Sequence, residues 1–101
     1  MIENIVCKIS DVAEASSKIV EIKNNSIAIF HINGQFFALE NKCPLDGADL
    51  GKGFYDGRGE NITCPFRGHI YNLKTGKSPF SDGDLKTFEI RIKNGNIVLF
   101  L

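Results

Sequence analysis

Two short segments that are nearly alike constrain this chain more than any other feature of its sequence. Residues 43–47 read CPLDG and residues 64–68 read CPFRG, with twenty residues between the two cysteines. Each segment opens on Cys-Pro and reaches a glycine four residues after its cysteine. Two such loops held side by side present two thiolates to one small, soft metal centre. The sequence therefore predicts a fold that brings Cys43 and Cys64 together.

Short alternating segments on both sides of these loops predict antiparallel strands. They cover residues 4–9, 18–23, 26–32, 35–40, 70–73, 85–92 and 96–101. Asn33-Gly34 and Asn94-Gly95 predict tight hairpin turns, because both residue types tolerate positive φ. Asn24-Asn25 predicts a third turn. No long helical period occurs, so the expected fold is an all-β sandwich.

The second loop continues into a strand that ends in Thr75-Gly76, with the sequence YNLKTG over residues 71–76. An Asn-Gly hairpin precedes the first loop, and another ends the chain. In this order the motifs resemble a small Rieske ferredoxin over nearly the whole chain. The resemblance implies one domain over residues 1–101, with an antiparallel base at roughly 1–40 and 77–101. A two-loop cluster-binding subdomain is then inserted at roughly 41–76.

The ligand positions depart from the Rieske pattern, which is Cys-x-His, a spacer, then Cys-x-x-His. In a Rieske centre two cysteines hold one iron of a [2Fe-2S] cluster and two histidines hold the other. The resemblance puts Cys43 and Cys64 at the cysteine positions, but Leu45 and Arg67 at the histidine positions. Leucine has no donor atom, and arginine stays protonated and offers no lone pair. A [2Fe-2S] cofactor is thus implied by the family, while these residues favour a cluster that is absent or atypically ligated.

His69 and Asp46 are the nearby residues that could replace the lost ligands. Each is displaced along its loop, and in an extended segment a shift of one residue turns the side chain to the other face. Neither is therefore expected to substitute without rearrangement. Together with Cys43 and Cys64 they could form the mixed S, N and O set that zinc accepts. The alternatives are a loop-packing His69 and a cysteine pair that is buried as thiols or joined as a disulfide.

Leu45 and Arg67 are also candidate partner-contact residues. In the family these positions face outward, towards electron-transfer partners, and arginine is enriched at interfaces. The alternative is drift on a surface that no longer has a function. His31 and Cys7 lie within predicted strands, and we interpret them as packing residues rather than ligands.

Composition excludes several classes of function. Twelve basic and twelve acidic residues give a net charge of zero, without a basic stripe for nucleic acid or a polybasic patch for a membrane. The longest apolar runs are four or five residues, far below the ~20 needed to cross a bilayer. We expect no signal peptide at the N-terminus. Three cysteines do not form an even disulfide framework, so a cytoplasmic chain is expected.

Three functions follow from these residues and the resemblance. The first is an accessory subunit without the usual cluster, not catalytic alone, that contacts a larger oxidoreductase subunit or a reductase of the oxygenase or nitrite reductase type. Small subunits that resemble Rieske domains without the ligand set occur in the assimilatory nitrite reductase family. The second is an electron-transfer ferredoxin that holds [2Fe-2S] in an altered ligand shell. The third is a zinc or thiol–disulfide site at Cys43 and Cys64. Leu45 and Arg67 favour the first.

Overall fold

The computed structural model describes residues 2–45, 47–55, 60–66, 68–78 and 83–101. Eight strands lie in these ranges: β1 Glu3–Lys8, β2 Ser16–Ile22, β3 Asn25–Ile32, β4 Gln35–Glu40, β5 Asn61–Thr63, β6 Ile70–Asn72, β7 Thr87–Lys93 and β8 Asn96–Phe100. Two single 3-10 turns are formed by Ile9–Asp11 and Leu50–Lys52. Within the described ranges, no helix is long and apolar enough to span a membrane. The all-β prediction is confirmed.

Six strands form one antiparallel sheet in the order β1-β8-β7-β4-β3-β2, and β5 pairs with β6 separately. The first and last strands of the chain are neighbours in this order. Beyond the pairing of β1 with β8, the Ile2 and Leu101 backbones exchange two hydrogen bonds, of 2.9 and 3.1 Å. The ends of the sequence therefore meet at one side of the sheet.

Strand β3, which lies between β4 and β2, is buried on both faces and so separates two cores. Successive side chains of a strand point to opposite faces, so Ile27 and Ile29 pack into one core while Ala28 and Phe30 pack into the other. We call the core that contains Ala28 and Phe30 the loop-side core. It also contains Ile32, Phe37, Leu39, Cys43, Leu50, Ile62, Cys64, Tyr71, Leu73 and Leu85. Burying each large apolar side chain in this core stabilises the folded protein by roughly 1.5–3 kcal/mol. This burial holds the cysteine loops against the sheet.

The Asn-Gly turns are confirmed, and the third turn differs from its prediction by one residue. Both Asn33-Gly34 and Asn94-Gly95 have positive φ at each residue. The β2–β3 turn lies at Lys23 and Asn24, with φ of 49° and 66°, and not at Asn24-Asn25. Asn25 instead pairs with Ile22 across the hairpin. The burial of Ile27 and Ile29 on one face of β3 sets this register, and the register decides which two residues turn.

A buried asparagine ties the first cysteine loop to the sheet. The Asn41 backbone N–H donates to the Ser26 carbonyl oxygen (2.9 Å), and its side-chain amide donates to Ser26 Oγ (3.1 Å). Asn41 Oδ1 accepts the Gly51 N–H at 2.8 Å, and its backbone oxygen accepts the Leu50 N–H at 2.7 Å. The segment after β4 has little regular structure, yet two of these hydrogen bonds hold it against the start of β3 and the other two tie it to the 3-10 turn Leu50–Lys52.

Candidate metal centre

Cys43 and Cys64 open two turns of the same shape. The Gly47 N–H donates to the Cys43 carbonyl oxygen at 2.9 Å, and the Gly68 N–H donates to the Cys64 carbonyl oxygen at 3.2 Å. Both glycines have φ of +75°, a conformation that other residues adopt only with strain. The similarity of the two segments in sequence thus reflects a shared backbone conformation.

Hydrogen bonds from the two cysteine backbones close these turns and help to hold the cysteines in place. The Cys43 N–H donates to the Ala48 oxygen (2.9 Å), and the Cys64 N–H donates to the His69 oxygen (2.7 Å). Both cysteines are only 1% exposed and belong to the loop-side core. This burial is what small hydrophobic residues would show, but it also shields a pair of thiols from solvent.

Three potential metal ligands meet between the turns. The sulfurs of Cys43 and Cys64 and a ring nitrogen of His69 all lie within 4.8 Å of one another. Cys43 Sγ is 3.6 Å from His69 Nδ1. All three cysteines of the chain are thiols, and Cys7 lies outside this group. We call Cys43, Cys64 and His69 the donor group.

The position of His69 differs from the expectation for an extended loop. From the sequence, His69 was not expected to replace the lost ligand without rearrangement of the loop, because it lies two residues past that position. The loop is instead a turn, because Gly68 takes a positive φ just before His69. The half-buried His69 ring therefore lies beside the cysteines, while its carbonyl oxygen accepts the Cys64 N–H.

Tyr71 is a member of the site that sequence reasoning missed. Its hydroxyl lies 3.4 Å from Cys43 Sγ, and the residue is fully buried. Tyr71 lies in β6, opposite Ile62 of β5, so the small two-stranded sheet positions it. A buried tyrosine hydroxyl usually has a hydrogen-bond partner. A tyrosine within a strand that leaves a cysteine loop was therefore the available signal.

Two large apolar side chains of the cysteine turns are exposed. Leu45 is 58% exposed and Phe66 is 70% exposed. Each lies two residues after a cysteine, so the two matching turns present them at the same position. Phe66 had not been singled out from the sequence, although this shared position was visible there. Two candidates, Asp46 and Arg67, lie outside the described residues.

The second histidine is a packing residue, as predicted. His31 Nδ1 lies 2.8 Å from the Val12 carbonyl oxygen, and its ring stacks on Phe36 at 4.1 Å. Cys7 is half-buried in β1, at the edge of the sheet. Burial raises the pKa of the Cys7 thiol, and the nearby Asp11 carboxylate raises it further. His31 and Cys7 therefore lie outside the donor group, and each has its own place in the sheet.

A carboxylate clamps the β3–β4 hairpin at some remove from the donor group. Glu14 accepts the Gly34 N–H at 2.7 Å and the Asn33 N–H at 2.8 Å. The hydrogen bond from Gly34, together with those from Asn33 and Ala15 and the nearby His31, lowers the pKa of Glu14 below its usual value. The negative charge of Glu14 therefore helps to hold the β3–β4 turn in place.

Comparison with known proteins gives matches over almost the full chain. The model of a family described as Rieske-like [2Fe-2S] domain matches residues 4–99. The 3-phenylpropionate/cinnamic acid dioxygenase ferredoxin subunit of Photorhabdus laumondii subsp. laumondii is 30% identical over 102 residues, which cover 98% of this chain and 94% of the relative. Apoptosis-inducing factor 3 of Mus musculus is 31% identical over 100 residues, and there the chain spans only 16% of the relative.

Solved structures match to the same extent. A chain from the complex of reduced oxygenase and oxidized ferredoxin in carbazole 1,9a-dioxygenase has a TM-score of 0.85 and 31% identity, covering 97% of this chain and 92% of its own length. The Sphingomonas yanoikuyae B1 ferredoxin has a TM-score of 0.87 and 24% identity, covering 99% of both chains. The second likeness concerns the fold alone.

Proposed function

Because the chain belongs to the Rieske-like [2Fe-2S] domain family, we propose that it is a small ferredoxin-like component of a multicomponent redox system. Within that system we assign it the role of an accessory subunit that has lost the usual two-cysteine, two-histidine cluster site. Two relatives support the redox system: one is a dioxygenase ferredoxin subunit, and the other comes from an oxygenase–ferredoxin complex. The chain is not catalytic alone in this proposal.

The observation that carries the loss of the cluster site is the state of its ligand positions. Leu45 has no donor atom and its side chain points largely to solvent. The histidine of the donor group, His69, lies at neither histidine position of the Rieske pattern, and it adjoins the cysteines themselves. The described residues therefore do not fit the ligand shell of a [2Fe-2S] cluster, in which histidines hold the iron that the cysteines do not.

The exposed tip formed by Leu45 and Phe66 is the proposed contact surface for a larger oxidoreductase subunit. Both large apolar side chains are exposed, each two residues after a cysteine, and aromatic residues are enriched in the buried centres of interfaces. In the sequence Arg67 follows Phe66, and arginine is also enriched there. A cytoplasmic location belongs to the same proposal, since Cys43 and Cys64 kept as thiols require a reducing compartment.

Metal analysis of protein purified without oxygen tests the loss of the cluster. We expect no charge-transfer absorption in the visible region and no stoichiometric iron or acid-labile sulfide. About two irons per chain, with sulfide and strong visible bands, would instead establish a [2Fe-2S] cluster in an altered ligand shell. That result would make the chain an electron carrier, which is the second candidate function.

Capture from the cells that naturally make the chain tests the contact surface. Tagged wild-type protein should recover a larger oxidoreductase subunit, identified by mass spectrometry and by its own cofactor. The double variant L45S/F66S should recover it at least about tenfold less well, because two interface anchors are removed. The control is I92S, which changes an exposed apolar residue of β7. Equal losses with both variants would contradict a contact at the tip.

A further inference from the structure

We propose that the donor group binds a single zinc ion through Cys43 Sγ, Cys64 Sγ and His69 Nδ1. This site stands in place of the family's two-iron cluster, so the inference rests on the loss of that cluster proposed above. Its support is independent of the family, because it comes from three side chains that the structure brings together. The proposal gives a metal ion to a chain whose sequence lacks the histidine ligands of the family's cluster.

The distances fit one tetrahedral ion. With Zn–S bonds of ~2.3 Å and Zn–N bonds of ~2.0–2.1 Å, a tetrahedral site puts sulfur and nitrogen about 3.6 Å apart and two sulfurs about 3.8 Å apart. Cys43 Sγ and His69 Nδ1 are 3.6 Å apart. The Cys64 sulfur lies within 4.8 Å of both, so a shift of about 1 Å, well within the reach of a side-chain rotation, completes the geometry.

The same contact argues for one ion and against two irons. In a Rieske cluster the cysteines and the histidines bind different irons. Cys43 Sγ and His69 Nδ1 lie 3.6 Å apart, which is a hydrogen-bond distance in the metal-free chain and also the separation of two ligands on one tetrahedral zinc ion. Thiolate and imidazole together are ligands that zinc accepts readily. Zinc also has no redox chemistry of its own, which suits a subunit that carries no electrons.

Charge and protons balance in a buried site. On binding, the Cys43 and Cys64 thiols each release one proton to solvent, and His69 donates the lone pair of Nδ1 while its other nitrogen carries the proton. Two thiolates and one Zn²⁺ are neutral together, so no net charge is buried with the two cysteines. The Tyr71 hydroxyl, 3.4 Å from Cys43 Sγ, can donate a hydrogen bond to that thiolate.

The donor group leaves one coordination position for water. Three protein ligands and one water molecule make a recurrent zinc arrangement, and two cysteines with one histidine are among the known sets. The turns at Gly47 and Gly68 already hold both cysteine backbones. Binding therefore requires only side-chain adjustment, which favours a high affinity.

Zinc titration against a colorimetric chelator, on metal-stripped and fully reduced protein, tests the proposal. We expect one zinc per chain, with an affinity that rises with pH because thiol protons are released. C43S, C64S and H69A should each weaken binding by more than the roughly 10–100-fold that loss of a second-shell partner causes. The chain supplies matched controls, because C7S and H31Q remove the same residue types outside the donor group.

Thiol alkylation of the wild-type protein gives a readout that does not depend on a variant folding. Added zinc should slow modification of Cys43 and Cys64 and leave Cys7 unchanged, as mapped by peptide mass spectrometry. Wild type that binds zinc no better than the C43S/C64S double variant, with no protection, would overturn the zinc site and leave the cluster-free function standing. Two irons with sulfide in the purified protein would overturn both.

Discussion

The Tyr71 hydroxyl lies 3.4 Å from Cys43 Sγ, and both residues are closed off from solvent. β6 carries the tyrosine and the first cysteine turn carries the thiol, so the contact joins two separate parts of the loop region. Groups in this position around a metal ligand orient it and adjust its basicity. The contact therefore links the packing of the loop-side core to the chemistry of the donor group.

Removing this hydroxyl should weaken zinc binding without abolishing it. For Y71F we expect a loss of about tenfold in zinc affinity, at the low end of the range for a second-shell partner. The free energy of unfolding should fall by about 1 kcal/mol, because a buried hydrogen bond is lost. The chelator competition used for wild type measures the first quantity, and urea unfolding measures the second. The control is Y55F, since the Tyr55 hydroxyl accepts a hydrogen bond from Asn33 Nδ2 at 3.1 Å. Unchanged zinc affinity in Y71F would separate the tyrosine from the metal site.

The asparagine that anchors the first loop should matter strongly for stability. N41A leaves the Gly51 N–H without its side-chain acceptor and removes the amide that donates to Ser26 Oγ. We expect the free energy of unfolding to fall by about 1–3 kcal/mol, the cost of an unsatisfied buried group. Urea unfolding measures the change. N25A is the comparison, because the exposed Asn25 side chain donates a local hydrogen bond of 3.2 Å to the Lys23 carbonyl oxygen, two residues away. Equal effects from the two variants would contradict the anchoring role of Asn41.

The Glu14 clamp predicts a dependence of stability on pH. The folded state lowers the pKa of Glu14 from its usual 4.5, so the stabilisation is present above pH 4.5 and is lost as the pH falls through the lower, folded value. E14Q keeps an acceptor oxygen and removes the charge. Wild type should therefore unfold at a higher temperature than E14Q at pH 7, and the gap should narrow as the pH falls below 4.5 and through the lowered pKa of Glu14. E21Q, an exposed change in β2, serves as the control. A gap that stays constant from pH 7 to pH 3 would show that the charge is not responsible.

Restoring the two histidines should restore the cluster if the scaffold is intact. In L45H/R67H both positions of the Rieske pattern again carry a ligand, beside the two cysteines. After reconstitution with iron and sulfide, we expect about two irons per chain and visible charge-transfer bands. Adding C43S to this variant should abolish both signals. A double variant that takes up no iron would show that the loops no longer support the family's ligand geometry.

The strands were predictable because their residues repeat a simple pattern. Two apolar runs, now β3 and β4, with Asn33-Gly34 between them, indicated the hairpin that the structure contains. The turn at Lys23 and Asn24 was misplaced by one residue, because a lysine at positive φ is unusual and only the cross-strand register reveals it. β5 and β6 have three residues each, too few to show a period on their own.

The candidate site was predictable only in part, for a similar reason. The matching Cys-Pro segments indicated that Cys43 and Cys64 come together, and the donor group contains both. The position of His69 depends on the positive φ of Gly68. Glycine permits this backbone angle, but a glycine in the sequence does not show that the angle is adopted. Tyr71 reaches Cys43 through the pairing of β5 with β6, a contact between residues 28 positions apart in the chain. Such contacts arise from packing, which no local pattern encodes.

The pairing of β1 with β8 has a consequence for how the protein is made. Glu3 lies opposite Phe100, so this ladder closes a loop of almost the whole chain, whereas β2, β3 and β4 follow one another through tight turns. Contacts between distant residues form slowly, because the entropy of closing the loop is lost before any bond is gained. During synthesis, β1 emerges from the ribosome well before its partner β8. We therefore expect a nascent chain to keep the β1 edge unprotected against hydrogen exchange until β8 has left the ribosome.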